Sequence, residues 1–434
     1  MFLRWRSIKI FYGWWIVGAS LLTTLYMGGV VFYGFTAFFE PIVNEMGWSY
    51  TQVSLAASLR GLEMGLLAPF IGILVDRWGP RRLIVIGVLI AAAGLVVLSA
   101  TTSLGMFYGA FALLTIGMSA TSTTVLMTTI ANWFHRKMGM ASGIAICGFG
   151  LSGLLIPVIV RLIAVYGWRI TLDILAAGMV VMILPLSLFF RHKPEAYGYF
   201  PDGEPENSSS YSNSLDVPHD EIEVKARQAI KSGTFWRFTL AFMYHMMATS
   251  TVVTHVMPYL GSISVSRTMS GLVATSIPLT SILGRLGFGW LGDRFDKRKV
   301  ATVGFVMMGC GLFFFGYAST MNKWMLVLFL ALFGVGYGGN NALRPSLTRE
   351  YFGRRNFGSI FGLILGIGAI GGITGPTLAG WVYDNWGSYQ AVWFLLAGLA
   401  IVAIISILTM APGRSAVALG DRTRHCVDTN RGSD

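Results

Sequence analysis

Apolar runs of twenty or so residues recur along the chain, separated by short polar breaks. The runs are continuous, without the ten-residue in–out alternation of an outer-membrane barrel strand. A helix needs about 20 apolar residues to cross a bilayer. That ruler predicts twelve spanning helices, over residues 11–37, 50–74, 82–100, 105–132, 139–163, 168–190, 236–261, 269–292, 299–319, 324–348, 357–381 and 388–411. Between the sixth and seventh runs lies HKPEAYGYFPDGEPENSSSYSNSLDVPHDEIEVKARQ. It is rich in Pro, Ser, Asn and Glu, too polar to bury a core, and reads as a linker. Its later part, Asp220 to Lys231, reads as a short surface helix, and the chain after Pro412 as a polar tail. The expected organisation is an all-α membrane protein of two six-helix bundles, residues 1–191 and 235–412, with a linker over 192–234 and a tail over 413–434.

Composition agrees with the pattern. The 434 residues are 54% hydrophobic and 12% charged, with a mean hydropathy of +0.64. A soluble chain carries about twice that charged fraction. An unpaired backbone group in hydrocarbon costs several kcal/mol, and helices satisfy theirs internally.

The net charge of +12 sets orientation rather than pointing to nucleic acid. One set of loops holds Arg77, Arg81, Arg82, Arg136, Lys137, Arg294, Lys297, Arg298, Lys299, Arg354 and Arg355. The opposite set holds only Arg169, Arg267 and Lys323. Basic loops stay inside, which puts both termini and the linker in the cytoplasm of a cell whose inner membrane the chain spans. The start, MFLRWRSIKIFYGWW, has no small-residue cleavage site after it and reads as leading into a retained first helix. Cys147, Cys310 and Cys426 have no metal or redox spacing. With no phosphate-cradling GxxxxGK[ST] and no HExxH, no catalytic residue, metal or cofactor is expected, and the chain does not read as an enzyme.

The two halves repeat. GILVDRWGPRR (72–82) recurs as GWLGDRFDKRK (289–299), so Gly72, Asp76, Arg77 and Arg81 match Gly289, Asp293, Arg294 and Arg298. Gly139, Gly143, Gly153 and Pro157 align with Gly358, Gly362, Gly372 and Pro376. The same helix order therefore occurs twice in the same direction. Parallel repeats imply two bundles related by an axis along the membrane normal, with a solute site between them. Asp76 and Asp293 fall at cytoplasmic helix ends, where a carboxylate can cap a neighbouring helix and pair with an arginine. These eight residues form a candidate cytoplasmic gate.

Here the chain resembles the major facilitator superfamily over about 400 residues, since the loop motif G-x-x-x-D-R-x-G-x-[RK]-[RK] marks that family. The second copy departs, with Asp296 at the glycine position. YGWW (12–15), MGWSYTQVSLA (46–56), NWFHRKMGMASGI (132–144) and REYFGRR (349–355) are similar to the oxalate–formate antiporter and monocarboxylate transporter group. The resemblance implies a transporter working by alternating access. It also implies that Arg285, in SILGRLGFGW, binds a substrate carboxylate. The animal monocarboxylate transporters' Asp four residues earlier is Ser281 here, and the antiporters' lysine is missing from the eleventh span.

An ionisable residue inside a span is costly and is a functional candidate by default. Arg60 and Glu63 lie on one face of the second span at i, i+3 spacing, either as a working pair or as a neutralised strut. Arg344 follows Asn340 and Asn341 in a tenth span loosened by glycines and Pro345. His245 and His255 in the seventh span, with Glu63, are candidate proton carriers. Tyr26, Tyr33, Asn340 and Asn341 can add hydrogen bonds. Arginines outnumber acids, so the expected cargo is a small mono- or dicarboxylate, bound by Arg285, Arg60 and Arg344. Its movement would be coupled to protons or a counter-anion, in a monomer. Two other readings stay open on the residues: an exporter of hydrophobic or drug-like compounds, and a non-transporting receptor or sensor.

Overall fold

The computed structural model describes residues 11–48, 50–203, 224–318 and 324–410. The side chains of 32–33, 36, 39–40, 50–51, 54–64 and 267–268 lie outside that description. Among the described residues the chain is helical, without strands.

Helix α1 is Gly13–Met27, continued through a widened turn at Gly28–Tyr33 into Phe35–Met46. Then follow α2 (Tyr50–Trp78), α3 (Pro80–Ser99) and α4 (Leu104–Ser119 resuming as Thr123–Trp133). Helix α5 starts as Met138–Leu151 and passes through a tight turn at Ser152–Leu155. It runs directly into α6 within the stretch Ile156–Ser187. Gly167, at φ 77°, is the break between α5 and α6, a conformation that costs glycine little. The second half holds α7 (Gly233–Ser262), α8 (Arg267–Arg294) and α9 (Lys297–Gly316). It ends with α10 (Trp324–Phe329, a widened turn Leu330–Gly334, then Val335–Phe352), α11 (Phe357–Trp386) and α12 (Gln390–Leu408).

Nine stretches of the described residues are long and apolar enough to cross a membrane, and one of them, Met138–Ser187, holds both α5 and α6. The remaining helices, α2 and α7, are 29 and 30 residues long; α7 carries more polar residues, and part of α2 falls among the side chains outside the description. The first span reaches Met46, further than the apolar pattern suggests, because Pro41 is accommodated inside the helix. Of the surface helix read over Asp220–Lys231, Ala226–Lys231 is described, and residues 204–223 lie outside the description.

Buried apolar side chains gather into two clusters. One runs from Ile16 to Phe190 and is centred on residues such as Phe107 and Trp133. The other runs from Ala229 to Met410, around Phe305 and Trp393. Phe357 and Phe361 of α11 join the first cluster, so α11 begins against the opposite half. In the bilayer the exposed leucines, valines and phenylalanines on the outer faces meet lipid rather than water.

The halves meet along two matched seams: α2 lies along α11, and α5 lies along α8 and α10. Both seams close glycine on glycine. A Cβ on Gly72 would sit 2.1 Å from the Gly358 carbonyl oxygen, and one on Gly289 would sit 2.6 Å from that of Gly139. Only hydrogen fits at either place. Further along α5, the Ser142 hydroxyl donates to the Ala342 carbonyl of α10 at 2.7 Å.

Candidate functional site: a closed seam beneath two buried arginines

Each seam ends in a crossed cap. Asp76, at the end of α2, accepts from the Gly358 and Ser359 amides at 3.0 and 2.8 Å and from the Ser359 hydroxyl at 2.7 Å. Asp293, at the end of α8, accepts from the Gly139 and Met140 amides at 2.6 and 2.8 Å. The first turn of a helix leaves amides unpaired and carries partial positive charge, so a carboxylate there satisfies both. Each half thus caps the opposite half's helix, α11 in one case and α5 in the other. The other charges of the repeated motif serve different contacts. Arg294 lies over the Trp290 ring at 4.0 Å. Arg298 pairs with Asp296 at 2.8 Å and donates to the Met410 carbonyl at 2.8 Å.

The linker reinforces this closure. Glu195 takes both terminal nitrogens of Arg354, whose Nε donates to the Asn132 side chain at 3.1 Å. Burial raises the Glu195 carboxyl, but the Arg354 hydrogen bonds, its own backbone amide and the charges of Arg354 and Lys193 together hold it below its usual value. Asp202 accepts from the His135 and Arg136 amides at 2.9 and 2.7 Å.

One turn before Gly289 on α8, Arg285 is 2% exposed. Its Nη1 donates to the Ile146 carbonyl of α5 at 2.8 Å, and its guanidinium lies 5.8 Å from the Tyr337 ring. Arg344 of α10 is 4% exposed. It donates to the Asn341 side chain at 3.2 Å, with the Phe242 and Phe361 rings 5.8 and 5.6 Å away. His245 of α7 stacks on Tyr337 at 5.5 Å between ring centres, and its Nε2 lies 3.1 Å from the Tyr337 carbonyl. Both guanidiniums are near enough to act on its charge. The Nε of each arginine and the His245 Nδ1 have no hydrogen-bond partner.

Among the described residues the ion pairs are Arg169–Glu45, Lys297–Glu350, Arg298–Asp296 and Arg354–Glu195. None of them involves Arg285 or Arg344. Two buried cations without a carboxylate are expensive in a low dielectric, and an incoming anion would offset that cost.

A family model described as Major Facilitator Superfamily matches residues 19–266 and again 239–424. The chain belongs to this superfamily. It is a multi-pass membrane transporter of small molecules with the twelve-helix fold, not an enzyme. It is similar to Monocarboxylate transporter 12 of Rattus norvegicus, 25% identical over 90% of this chain and 83% of the relative. It is also similar to Monocarboxylate transporter 12 of Xenopus laevis, 26% identical over 92% and 88%. Among solved structures, the proton:xylose symporter XylE superposes with a TM-score of 0.74 at 13% identity, covering 92% of this chain and 96% of the other. The human organic anion transporter MFSD10 superposes at 0.67 with 14% identity, covering 91% and 98%. These two likenesses establish the fold alone.

Within this superfamily member, the candidate residues separate. Arg285, Arg344, Asn341 and His245 come together. Tyr26 does not join them: its hydroxyl is spent on the Leu175 carbonyl of α6 at 2.7 Å. Asn340 is fully buried against α9, 3.8 Å from the Met308 sulfur. His255 lies 3.0 Å from the Pro376 carbonyl and 3.3 Å from the Tyr389 hydroxyl. Ser281 donates to the Pro278 carbonyl at 2.6 Å. The side chains of Tyr33, Arg60 and Glu63 lie outside the described residues. The aromatic walls Tyr337, Phe242 and Phe361 are additions from the structure. Their signal was available in part: Tyr337, Asn341 and Arg344 share one stripe of α10 at i, i+4, i+7, and Phe242 precedes His245 by three.

Proposed function

We propose that the chain carries a small organic anion, a mono- or dicarboxylate, across the cytoplasmic membrane by alternating access. The observation that carries the reading is the pair of buried guanidiniums, Arg285 and Arg344, without a carboxylate partner among the described residues. A guanidinium offers a carboxylate two parallel donors, and the unpartnered Nε atoms are available for that. The aromatic rings around Arg344 exclude water and strengthen the attraction. The names of the monocarboxylate transporter relatives agree with this cargo.

The caps at Asp76 and Asp293 keep the cytoplasmic side shut, with the termini and linker on that side. Bringing the cargo to the cytoplasm requires both caps to break and the halves to rock about the glycine seams. No nucleotide site is needed, because a proton or counter-anion gradient supplies the drive. Glu63 and His245 are the groups proposed to carry a proton, in a chain that works as a monomer. Uptake of labelled carboxylates by purified protein in liposomes tests the assignment. Arg285→Ala is expected to abolish concentrative uptake. Undiminished uptake in that variant would overturn it.

A further inference from the structure

At the cytoplasmic end of the α2–α11 seam lies a cleft of about 630 Å³. Ile73, Asp76 and Arg77 line it from α2, Asn132 from α4, His192, Lys193 and Glu195 from the linker, and Arg354, Arg355, Asn356 and Ser359 from around the start of α11. Its two carboxylates are already engaged, Asp76 on the first amides of α11 and Glu195 on Arg354. Beside Arg354, which holds Glu195, the lining carries the cations Arg77 and Lys193. The Nδ1 atom of His192 is buried in this wall with no hydrogen-bond partner. Burial, then the charges of Lys193 and Arg354, lower the His192 pKa and favour the neutral ring. The cleft therefore carries surplus positive charge and unused hydrogen-bonding capacity.

The repeat supplies an independent comparison. The alignment that matches Gly139 to Gly358 also matches His135, Arg136 and Lys137 to Arg354, Arg355 and Asn356. On the first loop the chain places its own anion: Asp202 accepts from the His135 and Arg136 amides. The matching loop is the one that lines the open cleft. A carboxylate thus caps the amides of one of two equivalent loops, while at the other Glu195 engages the Arg354 side chain and the loop borders a space of ligand size.

The position favours a lipid as the source of the anion. Leu66, Phe70 and Ile73 form an exposed apolar ridge on α2 at i, i+4, i+7 spacing, and Ile73 is itself part of the cleft wall. The exposed Trp78 indole stands at the end of the same helix, where interfacial aromatics sit at headgroup level. An acyl chain on the ridge delivers its headgroup to the cleft. Anionic lipid headgroups are drawn to lysine and arginine at the cytoplasmic surface.

We propose that this cleft binds the phosphate of an anionic phospholipid headgroup at the seam between the two halves. A phosphodiester accepts from Lys193 and from arginine forks through its two non-bridging oxygens, as a carboxylate does. The proposal rests on the membrane placement of the chain and not on which solute it transports.

The test uses the full chain in nanodiscs of phosphatidylcholine, alone or with a minority of phosphatidylglycerol. Native mass spectrometry counts retained lipid, and thermal unfolding reads stabilisation. The wild-type chain is expected to retain phosphatidylglycerol preferentially and to unfold at higher temperature with it. Lys193→Gln is expected to lose both effects, while unfolding in pure phosphatidylcholine is unchanged. Arg136→Gln, at the matching position beside Asp202, removes the same kind of charge and is expected to keep both. Equal retention of the two lipids by the wild type, or retained preference in the Lys193→Gln variant, would overturn the proposal. So would an equal rise produced by glycerol 3-phosphate or inorganic phosphate in pure phosphatidylcholine, which would make the cleft a soluble-anion site.

Discussion

At the scale of single residues, function and stability pull in opposite directions at Arg285 and Arg344. A buried cation without a partner destabilises a fold, and replacing it with an apolar side chain of similar size is often neutral or stabilising. Arg285→Met is therefore expected to unfold at the same or a higher temperature than the wild-type chain, while its affinity for a carboxylate falls. Losing one side of a buried charge-assisted contact costs about 2 kcal/mol or more, which is roughly thirty-fold in affinity. Arg285→Lys is expected to rescue little of it, because an ammonium cannot reproduce the guanidinium's fork. Binding isotherms and thermal melts on the same preparations separate the two effects. A variant that lost stability along with affinity would mark Arg285 as a strut.

Much of this cluster is legible in the sequence, because a lone arginine in an apolar run stands out. The aromatic side chains around it are not, because Phe242 and Phe361 look like any core residue in a span. Tyr26, Asn340 and His255 stand apart from the cluster. A polar side chain in a helix reads as cavity lining, but here the surrounding bundle meets it: Tyr26 and His255 bond to backbone carbonyls, and Asn340 packs against the Met308 sulfur.

At the scale of elements, the seams and their caps decide which side is open. The repeat made Asp76, Asp293 and the glycines visible as a matched set. It could not reveal that each carboxylate caps a helix in the opposite half, since the pairing crosses more than 150 residues of sequence. Loss of a capping side chain costs about 1 kcal/mol, so Asp293→Ala is expected to shift the protein roughly five-fold toward the cytoplasm-open form. Labelling of cysteines placed beneath the seam reads that shift. Unchanged labelling in Asp76→Ala and Asp293→Ala alike would show that the caps do not hold the seam.

Gly289→Val is expected to be harsher, since its side chain would collide with the Gly139 carbonyl and hold the seam apart. The linker adds a pH dependence to the same closure. Glu195 has a lowered carboxyl pKa, so its contribution is present above the ordinary value of 4.5 and is lost as pH falls through the lowered one. Acidification into that range is expected to increase cytoplasmic labelling in the wild-type chain. Glu195→Gln is expected to show the higher labelling already at neutral pH and to lose that acid response.

At the scale of the whole molecule, twelve helices and two halves follow from a count of apolar runs and one repeated loop. The places where the count slips have local causes. The α5–α6 connection at Gly167 has almost no polar break, and α7 is diluted by polar residues within an otherwise spanning length. What the repeat hides is asymmetry. The linker enters the capped face of the bundle from one side, placing Asp202 on one loop and tying Glu195 to Arg354 across the seam.

The two-half architecture places Arg285 and Arg344 above the closed seam, so the account stands or falls on whether an anion binds there. The most direct measurement is a thermal-unfolding screen of the purified chain with small carboxylates and their uncharged amides, run on the wild type and on Arg285→Met/Arg344→Met. A ligand that binds only the folded state raises its apparent stability. The account predicts a rise with a carboxylate, none with its amide, and none with either in the double variant, which stays folded. An equal rise with the amide, or an undiminished carboxylate effect in the double variant, would contradict it.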